Sequence, residues 1–346
     1  MTVKERISAF SRTGAKLHEM LHAFYDDDTH EFMQVLHKAQ RQNAWFAIDE
    51  QKHALASVVE MLREDRLAGW MGNYPGFSSW SGKSHTIGVI MAGNIPLVGF
   101  HDLLCVLMSG NRLQAKCSSD DKVLVEYFCK LLVESAPEMA GRISLVDRIS
   151  DIDAVIATGS NNSARYFEYY FGKYSHIIRK NRNGVAVLDG METEDQLRLL
   201  GKDIFSFFGM GCRNVSKIFV PDGYDFMNFF PPLEAFSYVM QHNKYMNNFD
   251  YQSALLLMNQ SKFLTNNFLI VREGKSYATP VSVLHYEFYD DKGKLALQLE
   301  KDKALIQCMV SGTNVPGAIP LGQSQHPGLM DYADGVDLMK FLLELG

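Results

Sequence analysis

Apolar residues recur at three- and four-residue spacing through ISAFSRTGAKLHEMLHAF and ALASVVEMLRE, which predicts helices across residues 1 to about 75. GNYPGFSSWSGKS, rich in Gly, Ser and aromatic residues, predicts a loop. The pattern then changes to strands alternating with helices. HTIGVIMAG is an apolar run of buried-strand type, and NIPLVGFHDLLCVLMSG follows as a helix closed by Gly110. RLQAKCS predicts a short strand and DKVLVEYFCKLLVESAPEM an amphipathic helix. RISLVD and DAVIATG predict two more strands, with SARYFEYYFGKY a helix after the second. This rhythm predicts an α/β fold with a parallel sheet covered by helices.

Beyond Gly184 the alternation resumes. GVAVLDG predicts a strand, and EDQLRLLGKDIFSFFGMG a helix running up to Cys212. SKIFVP, FLIVRE and VSVLHYEFYD predict strands, YQSALLLMNQ a helix, and VDLMKFLLEL a closing helix. The domain boundary is expected near residue 210, in the GMGCRN turn. The chain has no internal repeat and no low-complexity segment.

Composition narrows the function classes. Hydrophobic residues make up 47% of the 346 positions, which suits globular domains and excludes a disordered chain. A formal net charge of -6 argues against a protein that grips a nucleic-acid backbone. The aromatic residues do not alternate with basic ones, so no base-stacking platform is expected. The FYDDDTHEF run reads as a solvated helix face. The N-terminus is charged and amphipathic, and no uncharged apolar run reaches the roughly 20 residues of a membrane span. These features predict a soluble cytoplasmic protein.

Five cysteines stand at positions 105, 117, 129, 212 and 308, with no CxxC pair, so neither a metal centre nor a thioredoxin-type site is expected. Cys105 and Cys129 lie on apolar helix faces and Cys308 in an apolar strand-like run, which reads as packing. Cys212 differs. It is flanked by Gly209 and Gly211, whose small size lets a substrate approach the sulfur and the backbone N–H. Arg213 and Lys217 could help to lower its thiol pKa. Cys117 is the rival candidate.

Four other segments could carry chemistry. In MAGNIPLVGFHD (91–102), Asn94 ends a buried strand and could face an oxyanion, or the segment simply turns the chain. In QAKCSSDD (114–121), Lys116, Ser118 and Ser119 could hold a ribose or its phosphate, and a Ser or Asp there should cap the next helix. In ATGSNNSAR (157–165), Gly159 and Ser160 could meet a phosphate at a helix N-terminus, or Ser160 is an ordinary cap. IPLGQSQHPGLMDYADGVDLMKF (319–341) reads as an ordered loop over a site, in which His326 is an acid–base candidate or a surface residue.

Taken in order, these segments resemble the aldehyde dehydrogenase superfamily, and within it the acyl-CoA reductase family of the bacterial bioluminescence fatty-acid reductase type. The resemblance covers roughly residues 80–346 and is most specific in ATGSNNSARYFEYYFGKYSHIIRKNRNGVAVL, GMGCRNVSK and DYADGVD. It implies an N-terminal helical segment (1–75), a Rossmann-type nucleotide-binding domain (76–209), an α/β catalytic domain (210–318) and a tail returning over the site (319–346). It implies Cys212 as the acyl-carrying nucleophile and Asn94 as an oxyanion donor beside the Cys212 backbone N–H. It places Lys116 and Ser118 at the adenosine ribose, and Gly159 and Ser160 near the pyrophosphate.

Two departures refine the expectation. Hydrolytic relatives carry a Glu-Leu-Gly-Gly-Lys stretch whose glutamate activates water. The corresponding residues 176–184 read HIIRKNRNG, with no carboxylate, which reserves an acyl-enzyme for CoA or hydride. Ser119 replaces an acidic residue that would repel a 2′-phosphate, which favours NADPH, although Asp120 and Asp121 leave the point open. The expected activity is NADPH-dependent reduction of a long-chain acyl-CoA to the aldehyde through an acyl-cysteine. An acyl-phosphate reductase, a hydrolytic aldehyde dehydrogenase and a non-redox acyltransferase using Cys212 are the alternatives. The acyl donor could be CoA, a carrier or a partner synthetase. No nucleic-acid partner or membrane span is expected, and homo-oligomerisation is left open.

Overall fold

A computed structural model of the chain describes residues 1–23, 30–79 and 84–345. Part of the FYDDDTHEF run (24–29) and part of the glycine-rich loop (80–83) therefore lie outside the described residues. The described chain divides into two compact units, residues 1–180 with 328–346 and residues 181–327.

The first unit begins with four helices, α1 (Val3–His22), α2 (Glu31–Gln42), α3 (Ile48–Met61) and α4 (Glu64–Gly72). Thr2 and Glu5 start α1 as a reciprocal capping box, each side chain bonding the other residue's backbone N–H. A short turn, α5 (Gly76–Ser79), stands where a loop was expected. Then come β1 (Thr86–Ile90), α6 (Phe100–Met108), β2 (Arg112–Lys116), α7 (Lys122–Ser135), β3 (Ile143–Leu145), β4 (Ala154–Thr158), α8 (Asn161–Phe171) and β5 (Ser175–Arg179). All five strands are parallel, in the order β3-β2-β1-β4-β5.

Alternation along the strands divides the core between the two faces of this sheet. Ile87, Val89, Ala154 and Ile156 join the large cluster that also holds Phe10 of α1, Phe100 of α6 and Phe128 of α7. Ile90, Val155 and Ala157 face the other way, toward Phe167 and Phe171 of α8. A strand buried on both faces needs apolar residues at every position, which explains the continuous runs in the sequence. The N-terminal helices share this core, with the rings of Phe10 and Phe128 6.5 Å apart.

The second unit contains β6 (Asn183–Val187), α9 (Glu194–Phe205), β7 (Val215–Pro221), α10 (Asn243–Met258), β8 (Leu264–Thr265), β9 (Ile270–Glu273), β10 (Val283–Tyr289), α11 (Lys292–Lys301), β11 (Ile306–Ser311) and β12 (Ile319–Pro320). The sheet order is β12-β11-β6-β7-β10-β9-β8, parallel except where β8 meets β9. The sequence suggested a boundary near residue 210, whereas the unit starts at Asn181. The reason is pairing: β6 hydrogen-bonds β7 and β11 in this sheet.

The tail is shared between the units, since residues 328–346 belong to the first. There it carries α12 (Leu338–Leu343), which packs against α6. Trp70 Nε1 donates to the Tyr332 hydroxyl at 2.8 Å, the Tyr74 and Tyr332 hydroxyls meet at 2.8 Å, and the Tyr74 hydroxyl donates to Asp337 at 2.8 Å. Burial, helped by Asp337 and opposed by the bond to Tyr332, pushes the Tyr74 hydroxyl up to about 12. Tyr332→Phe leaves the buried Trp70 N–H without its acceptor and should lower stability by about 1–3 kcal/mol. Urea denaturation followed by tryptophan fluorescence measures this; an unchanged midpoint would mean that the hydroxyl cluster does not anchor the tail.

Candidate active site

In a parallel sheet the carboxyl ends of all strands lie along one edge. The order β2-β1-β4 therefore collects the ends of these three strands, with the topological switch point between β1 and β4. Asn94, half-buried, lies in the turn after β1. The expected helix from Asn94 begins only at Phe100, because Leu97 takes a left-handed conformation (φ 55°). A Cβ on Gly93 would stand 2.5 Å from Ser118 Cβ, so glycine is required for the β1 and β2 turns to touch.

The structure thus brings Asn94 and Ser118 onto neighbouring turns. Lys116 ends β2 and is exposed, as is Ser119, whose carbonyl accepts from Gln42. The Ser118 hydroxyl accepts from the Asp120 N–H at 3.3 Å. Gly159 follows β4, and Ser160 caps α8 by accepting from the Ser163 N–H at 3.1 Å. The first turn of α8 holds no acid. One ammonium, three hydroxyls and a helix N-terminus without a carboxylate suit an anionic, hydroxyl-rich dinucleotide.

Asp121 departs from expectation. It occupies the N-cap position of α7 but makes no side-chain capping bond. Its side chain is 3% exposed, and neither carboxyl oxygen reaches a hydrogen-bond partner. Burial pushes this carboxyl well above the ordinary carboxylate range; the Leu97 and Val98 N–H groups pull the other way, without reaching hydrogen-bond geometry. A buried Asp121 presents no carboxylate to a cofactor at the strand edge, so of the two aspartates only Asp120 is exposed there.

The strand β5 went unread in the sequence. Its last residue, Arg179, donates through Nη1 to both carboxyl oxygens of Asp102 on α6 at 2.7 Å, in a buried pair. The stretch 176–184 without carboxylates is therefore partly a sheet strand. His176 within it lies 2.8 Å from the Tyr174 carbonyl and 3.6 Å from Glu168.

In the second unit, α9 stops at Phe205 and does not run to Cys212 as expected. Phe207 (φ 51°), Phe208 (φ 55°) and Gly209 (φ 75°) form a left-handed run that reverses the chain. For each phenylalanine this costs about 1–2 kcal/mol. Both side chains are buried, and the Phe208 ring lies 4.3 Å from that of His242, so packing holds the strained backbone.

The chain then turns at Gly211–Asn214. Asn214 is 2% exposed. Its Oδ1 accepts from the Gly211 N–H at 2.8 Å, and its Nδ2 donates to the carbonyls of Asp203 (3.1 Å), Ile204 (3.3 Å) and Ser206 (2.8 Å). A Cβ on Gly184 would stand 2.5 Å from the Arg213 carbonyl oxygen, so glycine also lets β6 pass beneath this turn. Cys212 sits in the turn and is exposed, unlike the other four cysteines.

The surrounding bonds tie the turn to residues 322–326. Arg213 Nε donates to the Ser324 carbonyl at 2.5 Å, and Asp203 accepts from the Gly322 (2.6 Å) and Ser324 (2.9 Å) N–H groups. Burial raises the Asp203 carboxyl, opposed by those bonds and by the charge of His326. His326 is exposed. The half-buried Cys308 donates to the Arg213 carbonyl at 3.5 Å, so it touches this turn and is more than packing.

Two expectations about charge and reactivity change. Lys217 is fully buried; its Nζ meets Glu287 at 2.5 Å and donates to the Lys275 carbonyl at 2.9 Å, between the rings of Phe219 and Tyr277. It serves the interior of the sheet and is no free cation for a thiolate. Burial pushes the Cys117 thiol up to about 11 and that of Cys129 to about 12, and holds Cys105 well above the usual thiol range. Cys117 is thereby weakened as a rival.

Solved structures share this architecture. Aldehyde dehydrogenase 21 from Physcomitrella patens superposes with a TM-score of 0.70 at 12% identity, covering 100% of this chain and 84% of its own. An NADP-dependent enzyme from E. coli gives 0.66 at 11% identity (91% and 74% covered), and an NAD-dependent benzaldehyde dehydrogenase from Corynebacterium glutamicum gives 0.62 at 14% (90% and 76%). The fold is that of the aldehyde dehydrogenases. A sequence model described as acyl-CoA reductase (LuxC) matches residues 9–235. The chain belongs to the LuxC acyl-CoA reductase family, and is an enzyme acting on acyl and aldehyde groups. No curated protein matches. Among the described residues, no helix is long and apolar enough to cross a membrane.

Because burial raises the Asp121 carboxyl above its unfolded value, its effect on stability has a definite sign. Above the ordinary aspartate value of about 3.8 the unfolded chain releases the carboxyl proton, so the group destabilises the fold increasingly as pH rises. Asp121→Asn should therefore raise the melting temperature at pH 7, with the gain shrinking toward pH 4. Thermal melts across this range decide; a constant gap would mean that the carboxyl is ionised in the fold.

Proposed function

We propose that the protein reduces a long-chain acyl-CoA to the aldehyde with NADPH, through a covalent thioester on Cys212. The observation that carries this reading is the exposed Cys212, held on a bonded glycine turn in a chain of the acyl-CoA reductase family. The Cys212 thiolate attacks the thioester carbonyl, forming a carbon–sulfur bond. Asn94 and the Cys212 backbone N–H donate to the resulting oxyanion. CoA leaves as a thiolate and takes up a proton, and the acyl group remains on sulfur.

Bound NADPH supplies the hydride that reduces this acyl group. Expulsion of the Cys212 sulfur as thiolate then releases the aldehyde. In this reading the first unit is the cofactor domain and the second the catalytic one. Lys116, Ser118 and Ser119 hold the adenosine ribose and its phosphate, and Gly159 and Ser160 face the pyrophosphate. Residues 176–184 contain no carboxylate to activate water, which favours reduction over hydrolysis.

NADPH absorbance should decay when a long-chain acyl-CoA is added to wild type and stay flat with Cys212→Ala. A variant that turns over normally would remove Cys212 from the mechanism. Decay with acyl phosphate but not with acyl-CoA would reassign the substrate. Ser119→Glu should shift relative kcat/KM from NADPH toward NADH by about tenfold, as a carboxylate repels the 2′-phosphate. An unchanged ratio would place the phosphate away from the end of β2.

A further inference from the structure

The carboxyl end of α9 meets the turn that carries Cys212, an unfavourable place for a thiolate. The last carbonyls of a helix carry its negative end. Asn214 covers them: its Nδ2 reaches the Asp203, Ile204 and Ser206 carbonyls while its Oδ1 holds the Gly211 N–H. Its own N–H donates to the Gly211 carbonyl at 3.0 Å, and its carbonyl accepts from Gly184 at 3.1 Å. Every polar atom of a residue that is 2% exposed is thus engaged on the two sides of Cys212.

We propose that Asn214 is the positioning residue of the nucleophile: its amide neutralises the carboxyl end of α9 and fixes the Gly211–Asn214 turn, so that Cys212 can carry negative charge. This rests on Cys212 being the nucleophile. The charges facing the turn are otherwise committed. Arg213 donates to the Ser324 carbonyl and Asp203 binds two N–H groups. Lys217 is paired with Glu287 from the neighbouring strand. Lys202 lies in the last turn of α9, exposed. His326 acts on Asp203, and the Cys308 thiol donates to the Arg213 carbonyl. The side-chain amide of Asn214 is the group that reaches three carbonyls of the helix end.

The test is alkylation of Cys212 by iodoacetamide against pH, read by peptide mass spectrometry in wild type, Asn214→Asp and Asn214→Ser, with folding checked by near-UV circular dichroism. Asn214→Asp still accepts from Gly211 but cannot donate to the carbonyls, and adds a negative charge. Alkylation of Cys212 at neutral pH should slow by about five- to tenfold in it and less in Asn214→Ser, with the profile displaced toward higher pH. A loss of scaffold alone would lower the melting temperature and leave that profile in place, which would overturn the proposal. If neither variant folds, wild type decides: Cys212 reacting no faster than glutathione at neutral pH would refute an activating turn, and faster reaction would support it. The alkylation readout does not use turnover. Loss of the nucleophile reading would appear separately, as normal acyl-CoA reduction by Cys212→Ala.

Discussion

Helix α9 ends inside the second unit, and its last carbonyls need donors. Water cannot supply them at a buried terminus, and an unmet carbonyl there costs about 1–3 kcal/mol. The Ser206 hydroxyl and N–H meet the Lys202 carbonyl, and the carbonyls of Asp203, Ile204 and Ser206 are met by Asn214, nine residues beyond the helix end at Phe205. To bring it back, the backbone passes through two phenylalanines in left-handed conformation. Their rings are buried, which offsets the backbone cost. Cys212 lies on the returning turn and is exposed as a consequence.

The first unit solves a different problem. A parallel sheet buried on both faces places its strand ends on one edge, and the turns there must pack closely without large side chains. Gly93 against Ser118 is one such contact. Asp121 beneath the β1 turn is a second, and it is unfavourable in isolation, because a carboxyl buried without partners opposes folding at neutral pH. The edge that these contacts shape exposes Lys116 and Ser119, with Ser118 half-buried beside them.

The elements that could be read from the sequence are those whose environment is uniform along the chain. HTIGVIMAG, DAVIATG and SKIFVP each centre on strand residues buried on both faces, and show it as a short apolar run. β5 was missed because Ser175, His176 and Arg179 break its apolar pattern; Arg179 is tolerated only because Asp102, far away in sequence, neutralises it. The unit boundary at Asn181 depends on the sheet that β6 joins, which no local pattern encodes. The turn at Cys212 could be read from its glycines. Asn214 could not, since its role rests on carbonyls eight to eleven residues away, brought near by the left-handed run. Lys217 was misread for a similar reason: a cation five residues from a cysteine looks like an activator until Glu287 is seen beside it.

In the proposed reaction Cys212 carries the acyl group. Incubation with a long-chain acyl-CoA in the absence of reduced cofactor, followed by digestion and mass spectrometry, tests it directly. One acyl group on the peptide containing Cys212, with release of an equal amount of CoA, is the predicted result. An unmodified Cys212 peptide, or acylation of Cys117 or Cys308 in its place, would contradict the account.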